Sequence, residues 1–276
     1  MAYLVDYHIH TDFSIDAEGS PVEFARAAAG AGLSEICFTD HMDFLTYDES
    51  HGFFRPHEYL SALQRTRGEA GKKLQVKAGM ELGIEPETID QAAGVAGQEY
   101  FRTLDFVIGS VHGVEGRLLG NGYFEGKSSR EACRKYLADL STGLSAVAAK
   151  SAIDVVGHLD LVKRYAPWQP DKKWFDESRD IFEAIIEMIV EQGIGLEVNT
   201  SGFRQRPLEQ FPSVEILNIY RERGGEILSI GSDSHSPGTL VRSVGFCRQA
   251  LDAIRAAGFR YFTVFDRRKP RFIPLD

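Results

Sequence analysis

The stretch Tyr3-Leu4-Val5-Asp6-Tyr7-His8-Ile9-His10 decides the fold. It begins as an apolar, β-rich run and ends in two histidines one residue apart, ahead of a loop carrying Asp16. Residues two apart in an extended chain point the same way, so both imidazoles can reach one place. The same design returns along the chain. Glu35–Thr39 leads into Thr39-Asp40-His41, Leu74–Met80 into Gly79-Met80-Glu81, and Phe106–Val111 into His112. Ile153–Gly157 leads into Gly157-His158-Leu159-Asp160, and Ile227–Ile230 into Gly231-Ser232-Asp233-Ser234-His235. Gly195–Val198 is a further run of this kind, and Tyr261–Phe265 comes late.

These runs are rich in Val, Ile, Phe and Leu and alternate little, the pattern of strands buried on both faces of a parallel sheet. Helical patterns fill the gaps. Ser20-Pro21-Val22-Glu23 reads as a capping box with proline at the first helical position, ahead of Phe24–Ala31 and a stop at Gly32. Further helices are expected at His57–Ala70, Ser129–Ala149, Glu177–Gln192, Ser213–Arg223 and Thr239–Ala257. Alternating units without a reversal predict an α/β barrel, with an open doubly wound sheet as the alternative. No linker divides the chain, so residues 1–276 are read as one domain.

Composition narrows the class. The balance of 43% hydrophobic and 26% charged residues is that of a globular protein with a sizeable core. A net charge of −9 argues against a nucleic-acid partner. The basic run Arg267-Arg268-Lys269-Pro270-Arg271 reads as a solvated terminal segment. No apolar run reaches membrane-spanning length and the N-terminus has no signal-peptide core, so a cytoplasmic protein is expected. Cys37, Cys133 and Cys247 are far apart and unpaired in pattern, which fits a reducing compartment.

In an α/β barrel all C-terminal strand ends face one mouth, so scattered strand-end residues converge there. A lone strand-end histidine reads as a hydrogen-bonded structural residue. Of the eight histidines, six stand at strand ends, and with Asp16, Glu81 and Asp233 they read as metal ligands. One zinc takes about four ligands. Nine donors are economical only for two or three ions sharing a carboxylate, and mixed nitrogen and oxygen donors suit Zn, Mn or Fe. Competing chemistries find no motif. Gly231-Ser232-Asp233 and Gly109-Ser110-Val111 miss the nucleophile elbow, and Gly30-Ala31-Gly32 precedes a strand instead of following one.

The motifs in this order resemble the PHP (polymerase and histidinol phosphatase) superfamily, and within it the histidinol-phosphate phosphatases of the PHP type. The resemblance rests on Asp6-Tyr7-His8-Ile9-His10-Thr11, Phe38-Thr39-Asp40-His41, Gly79-Met80-Glu81, Gly109-Ser110-Val111-His112, Gly157-His158-Leu159-Asp160, Glu197-Val198-Asn199-Thr200-Ser201-Gly202 and Gly231-Ser232-Asp233-Ser234-His235, with Arg268-Lys269-Pro270 closing. It implies a distorted (β/α)7 barrel with a three-ion centre at the C-terminal strand ends. Carried over, His8, His10, Glu81 and Asp233 hold one ion, and Glu81 bridges to a second held by His112 and His158. Asp16, His41 and His235 hold the third. The Gly-rich stretch Gly113–Gly122 departs from the family's pattern where residues shaping the substrate pocket are expected.

The implied reaction is hydrolysis of a small phosphomonoester, L-histidinol phosphate first, by a hydroxide formed from water that the metals acidify. The expected catalytic set is Glu81, Asp233 and His41, with Arg164 and Arg204 gripping the phosphate and Lys163 or Arg206 as substitutes. Asp40 and Asp160 are candidates for orienting ligands or protonating the leaving group. Tyr47–Pro56 is a candidate lid, with His51 and His57 read as surface residues. A phosphoesterase for another small phosphate or a nucleotide is the second reading, and a non-catalytic metal-binding module the third.

Overall fold

Parallel strands follow one another around the sheet in the order in which the chain makes them. The computed structural model describes residues 3–148, 151–168 and 172–275. β1 (Val5–Asp6) pairs with β2 (Glu35–Phe38), and β2 with the long β4 (Gln75–Gly83), which also carries the short β3 (His41–Met42). β4 pairs with β5 (Phe106–Ser110). A small antiparallel hairpin, β6 (Gly113–Val114) and β7 (Arg117–Leu118), follows. The sheet continues through β8 (Val155–Val156), β9 (Gly195–Asn199) and β10 (Leu228–Gly231). Tyr7 N donates to Ile230 O at 2.8 Å and Ile9 bridges to Ser234, so the last strand returns to the first. This is the distorted (β/α)7 barrel expected, and not the open sheet.

The expected first strand, Tyr3–Ile9, is regular only at Val5–Asp6 because its later residues serve two neighbours at once. Thr39 N donates to Ile9 O at 2.8 Å on one side, while Asp233 N donates to His8 O at 2.8 Å on the other. β2, β5, β9 and β10 are buried at every residue, as their unalternating sequences require.

Helices α1 (Pro21–Gly30), α2 (Pro56–Ala70), α3 (Ile89–Val95) and α4 (Ser129–Ala148) cover the first half of the sheet. The short α5 (Val162–Tyr165) and α6 (Lys172–Asp176) precede α7 (Arg179–Glu191), α8 (Val214–Glu222) and α9 (Pro237–Ala256). Ala149, the last residue of the expected helix Ser129–Ala149, lies outside the described residues. The capping box forms at α1: Ser20 N donates to Glu23 Oε2 at 2.7 Å, and Ser20 Oγ accepts from Glu23 N. α4 approaches the sheet at Gly143, where a Cβ would stand 1.9 Å from Ile84 O. Among the described residues no helix is long and apolar enough to cross a membrane.

The late run Tyr261–Phe265 is a strand outside the barrel. β11 (Tyr261–Asp266) pairs antiparallel with β12 (Lys269–Pro274), turning through Arg267 and Arg268. The basic run is therefore no free solvated segment. Arg268 Nε donates to Asp154 Oδ2 at 2.5 Å, and Arg271 Nη2 to Glu35 Oε2 at 3.1 Å. Phe265 N donates to Tyr7 OH at 2.9 Å, and the Phe265 ring lies 4.7 Å from that of Phe106. The hairpin thus floors the barrel at the end opposite the histidines.

Candidate metal centre

Each histidine of the expected set leaves its strand at the same end, and the barrel brings them to one carboxylate. Glu81 is buried within β4 itself, third from its C-terminal end, so its side chain is held by the sheet. Its Oε2 lies 3.3 Å from His8 Nε2, 3.5 Å from His10 Nε2 and 3.1 Å from His41 Nδ1. Its Oε1 lies 3.3 Å from His112 Nε2 and 3.0 Å from His158 Nε2, and accepts from Ser110 Oγ at 2.6 Å. Five imidazoles surround one carboxylate.

Asp233 supplies the second buried carboxylate, with Oδ1 3.5 Å from His10 Nε2 and 3.6 Å from His235 Nδ1. Its φ of 55° is left-handed, a region where aspartate is among the few tolerated side chains. Asp16, half exposed, has Oδ2 3.1 Å from His235 Nε2 and 3.7 Å from His41 Nε2. The nine residues of the expected metal set therefore share one site.

The donors fit metal ions. The buried nitrogens His8 Nε2, His10 Nε2 and His41 Nδ1 have no hydrogen-bond partner although each faces Glu81. Ligand atoms gather within 4.8 Å of one another in four overlapping groups: His8, His10 and Asp233; His8, Glu81 and His158; His41, Glu81 and His112; His10, His41 and His235. Sharing of Glu81 between groups is what a bridging carboxylate needs. Burial and the neighbouring His41 and His235 push His10 down to about 3, whereas Glu81, against the effect of burial, pulls His41 and His112 up. Burial alone would raise Glu81, yet His8, His112 and His41 hold it well below the usual carboxylate range.

The donors open into a cavity of about 480 Å³. Arg164 stands on its wall, with Nη2 2.6 Å from Asp233 Oδ2 and 2.5 Å from Ser201 Oγ. Arg204 is not among the lining residues. Its Nη2 donates to Ser232 O at 2.8 Å and Asp233 O at 3.2 Å, and its Nη1 to Ser243 Oγ at 2.8 Å. Arg204 thus braces the Asp233 loop through backbone carbonyls, in place of the expected position on the cavity wall. The substitutes are also engaged elsewhere: Lys163 is buried between Asp160 and Glu209, and Arg206 donates to Ala166 O and Pro167 O.

Asp40 and Asp160 turn away from the cavity. Asp40 accepts from Thr11 N at 2.6 Å and Ser14 Oγ at 2.7 Å, holding the loop after His10. Asp160 pairs with Lys163 at 2.7 Å and accepts from Ser213 N. His51 and His57 do not line the cavity, whereas Tyr47, Asp48, Glu49 and Ser50 of the candidate lid do. Of Gly113–Gly122, Leu118, Gly120 and Asn121 reach it.

Two carboxylates escaped the sequence reading. Glu197 Oε1 lies 2.6 Å from His8 Nδ1, and Asp43 Oδ1 lies 3.5 Å from His112 Nδ1. The two-residue spacing of His8 and His10 recurs between His41 and Asp43, whereas no expected ligand stands two residues from Glu197.

A barrel whose strand ends converge buried imidazoles on shared carboxylates defines a class of multi-metal hydrolases. The PHP domain model matches residues 6–201. A histidinol-phosphatase of Lactococcus lactis is 32% identical over 270 residues, spanning 96% of this chain and 95% of the relative. A Deinococcus radiodurans protein named probable histidinol-phosphatase is 32% identical over 98% of this chain and 99% of its own. The chain belongs to the PHP domain family, alongside histidinol-phosphatases. The crystal structure of the Lactococcus lactis histidinol phosphate phosphatase, complexed with zinc, L-histidinol and phosphate, superposes with a TM-score of 0.84 at 29% identity, covering 97% of this chain and 98% of that one. A Listeria monocytogenes structure at 17% identity and a TM-score of 0.68 shares the fold.

Proposed function

We propose that this chain is a metal-dependent phosphomonoesterase that hydrolyses L-histidinol phosphate to L-histidinol and phosphate. The observation that carries this reading is Glu81 among five imidazoles at the base of an open cavity with Arg164 on its wall. His8, His10, Glu81 and Asp233 would hold one ion, Glu81 with His112 and His158 a second, and Asp16, His41 and His235 a third. Bound there, Zn, Mn or Fe would acidify a water and offset the charge of the phosphoryl oxygens.

The chain's own groups do the rest. Arg164, held by Asp233 and Ser201, presents a guanidinium in one orientation toward phosphate oxygens. Tyr47 and Tyr165 stand partly exposed at the mouth, and Asp48 and Glu49 line it with negative charge. That mouth suits a cationic, partly planar leaving group and repels a polyanion such as nucleic acid. The relative's complex with zinc, L-histidinol and phosphate supports the same substrate. Three buried free cysteines are consistent with a cytoplasmic site of action.

The test is a substrate panel with Mn²⁺ and Zn²⁺. Histidinol phosphate should turn over with a higher kcat/KM than nucleoside monophosphates, and oligonucleotides should be poor substrates. A preference for nucleotides would move the reading to the broader phosphoesterase, and no hydrolysis by metal-loaded protein would overturn it.

A further inference from the structure

We infer that Glu197 is a positioning residue of the metal centre, acting through His8 and His158. The inference rests on the metal-binding part of the proposed function and on no part of the substrate assignment. Glu197 sits within β9 with 1% of its surface exposed, a place where an unsatisfied carboxylate is costly. Its hydrogen-bond partners are a ring nitrogen, a backbone N–H and a side-chain amide. Oε1 meets His8 Nδ1 at 2.6 Å, while Oε2 accepts from His158 N at 2.9 Å and from Asn199 Nδ2 at 3.1 Å. One side chain thus holds a ring just after β1 and the backbone just after β8.

The consequence for His8 is chemical. A proton held on Nδ1 by a carboxylate leaves the lone pair on Nε2, and Nε2 is the nitrogen that faces Glu81 at 3.3 Å and Asp233 at 3.9 Å. His10 has only the Ser14 hydroxyl, 3.3 Å from its Nδ1. Of the His8 and His10 pair, His8 is therefore the ring held from behind by a carboxylate, and at 2.6 Å its contact is shorter than that of Asp43 with His112 at 3.5 Å. The sequence makes room for this contact. A Cβ at Gly231 would stand 2.4 Å from Glu197 Oε1 and 2.3 Å from His8 Cβ, so the glycine before Ser232 keeps the carboxylate and the ring in touch.

The experiment uses the full chain titrated with zinc against a competing chelator, without substrate. Glu197→Gln should weaken one zinc equivalent by about 10- to 100-fold, the usual effect of losing an outer carboxylate. Glu197→Asp, which keeps the charge on a shorter arm, should recover part of that loss. Zinc affinity in Glu197→Gln equal to the parent's, or reduced only in proportion to unfolded protein seen by circular dichroism, would overturn the role. A second measurement needs no variant. In ¹⁵N-labelled, zinc-loaded parent protein, His8 should carry its proton on Nδ1 and the metal on Nε2, and the opposite arrangement would also overturn it. A chain that behaves this way yet hydrolyses no phosphomonoester would sink the proposed function and leave Glu197 in place.

Discussion

Arg164 and Asp233 meet in the cavity wall, Nη2 to Oδ2, at 2.6 Å. The other oxygen of Asp233 faces His10 and His235, so one carboxylate joins the arginine to the imidazoles. The guanidinium is thereby aimed before any phosphate arrives. Arg164→Ala should lower kcat/KM for phosphomonoesters by about 10- to 150-fold, the equivalent of a charged hydrogen bond of about 1.5–3 kcal/mol. Arg164→Lys should recover only part, because an ammonium cannot grip two oxygens at once. Steady-state kinetics with metal analysis on the same samples checks this, and unchanged kinetics would remove Arg164 from the site.

Glu81 faces five histidines through two oxygens, so its loss should be felt at more than one ion. Glu81→Ala should lose metal from two positions together, read as metal equivalents per chain by elemental analysis. Loss of a single equivalent with activity intact would end the bridging role.

Metal removal should also cost stability. An ion that binds only the folded chain adds about 2.7 kcal/mol at a hundredfold excess over its Kd. For a chain of this size that corresponds to a Tm about 5–10 °C higher with Zn²⁺ than after chelation. Calorimetry with and without chelator would show it, and coincident transitions would contradict a structural share for the metals.

Gly143 touches the Ile84 carbonyl so closely that any side chain must push α4 away from the sheet. Gly143→Ala should destabilise by about 1–3 kcal/mol through overpacking, despite alanine's better helix propensity. Urea unfolding measures it; a stabilised variant would show that α4 can shift without loss.

Burial raises Asp154 from 3.8 to about 6, with Arg268 pulling the other way. The folded chain therefore holds this proton more tightly than the unfolded one. Between pH 4 and 6 the unfolded state ionises first, so this residue's contribution to stability falls by about 3 kcal/mol, then levels off. Asp154→Asn removes that slope, and its unfolding free energy relative to the parent should improve as pH rises from 4 to 7. A difference independent of pH would show that Arg268 fully offsets the burial.

The barrel was legible because strands buried on both faces leave unalternating apolar runs, and its mouth because histidines are rare and stood at the runs' ends. Glu197 and Asp43 were harder to see: a carboxylate behind a ligand looks in sequence like any polar residue near a strand end. Arg204 shows the opposite limit. Its position after β9 is right for a phosphate, yet the carbonyls of Ser232 and Asp233, distant in sequence, take its guanidinium. The basic run near residue 270 read as solvated because its partners, Asp154 and Glu35, lie more than a hundred residues earlier.

The β11–β12 hairpin has a consequence for the order of events on the ribosome. All nine residues of the candidate metal set lie before residue 236, but Arg268 and Arg271, which meet Asp154 and Glu35 beneath the barrel, are made later. In chain order, the base of the barrel lacks these partners until β11 and β12 have been made. The end of the barrel away from the metal centre is thus the last part of this fold that the chain order allows to be completed.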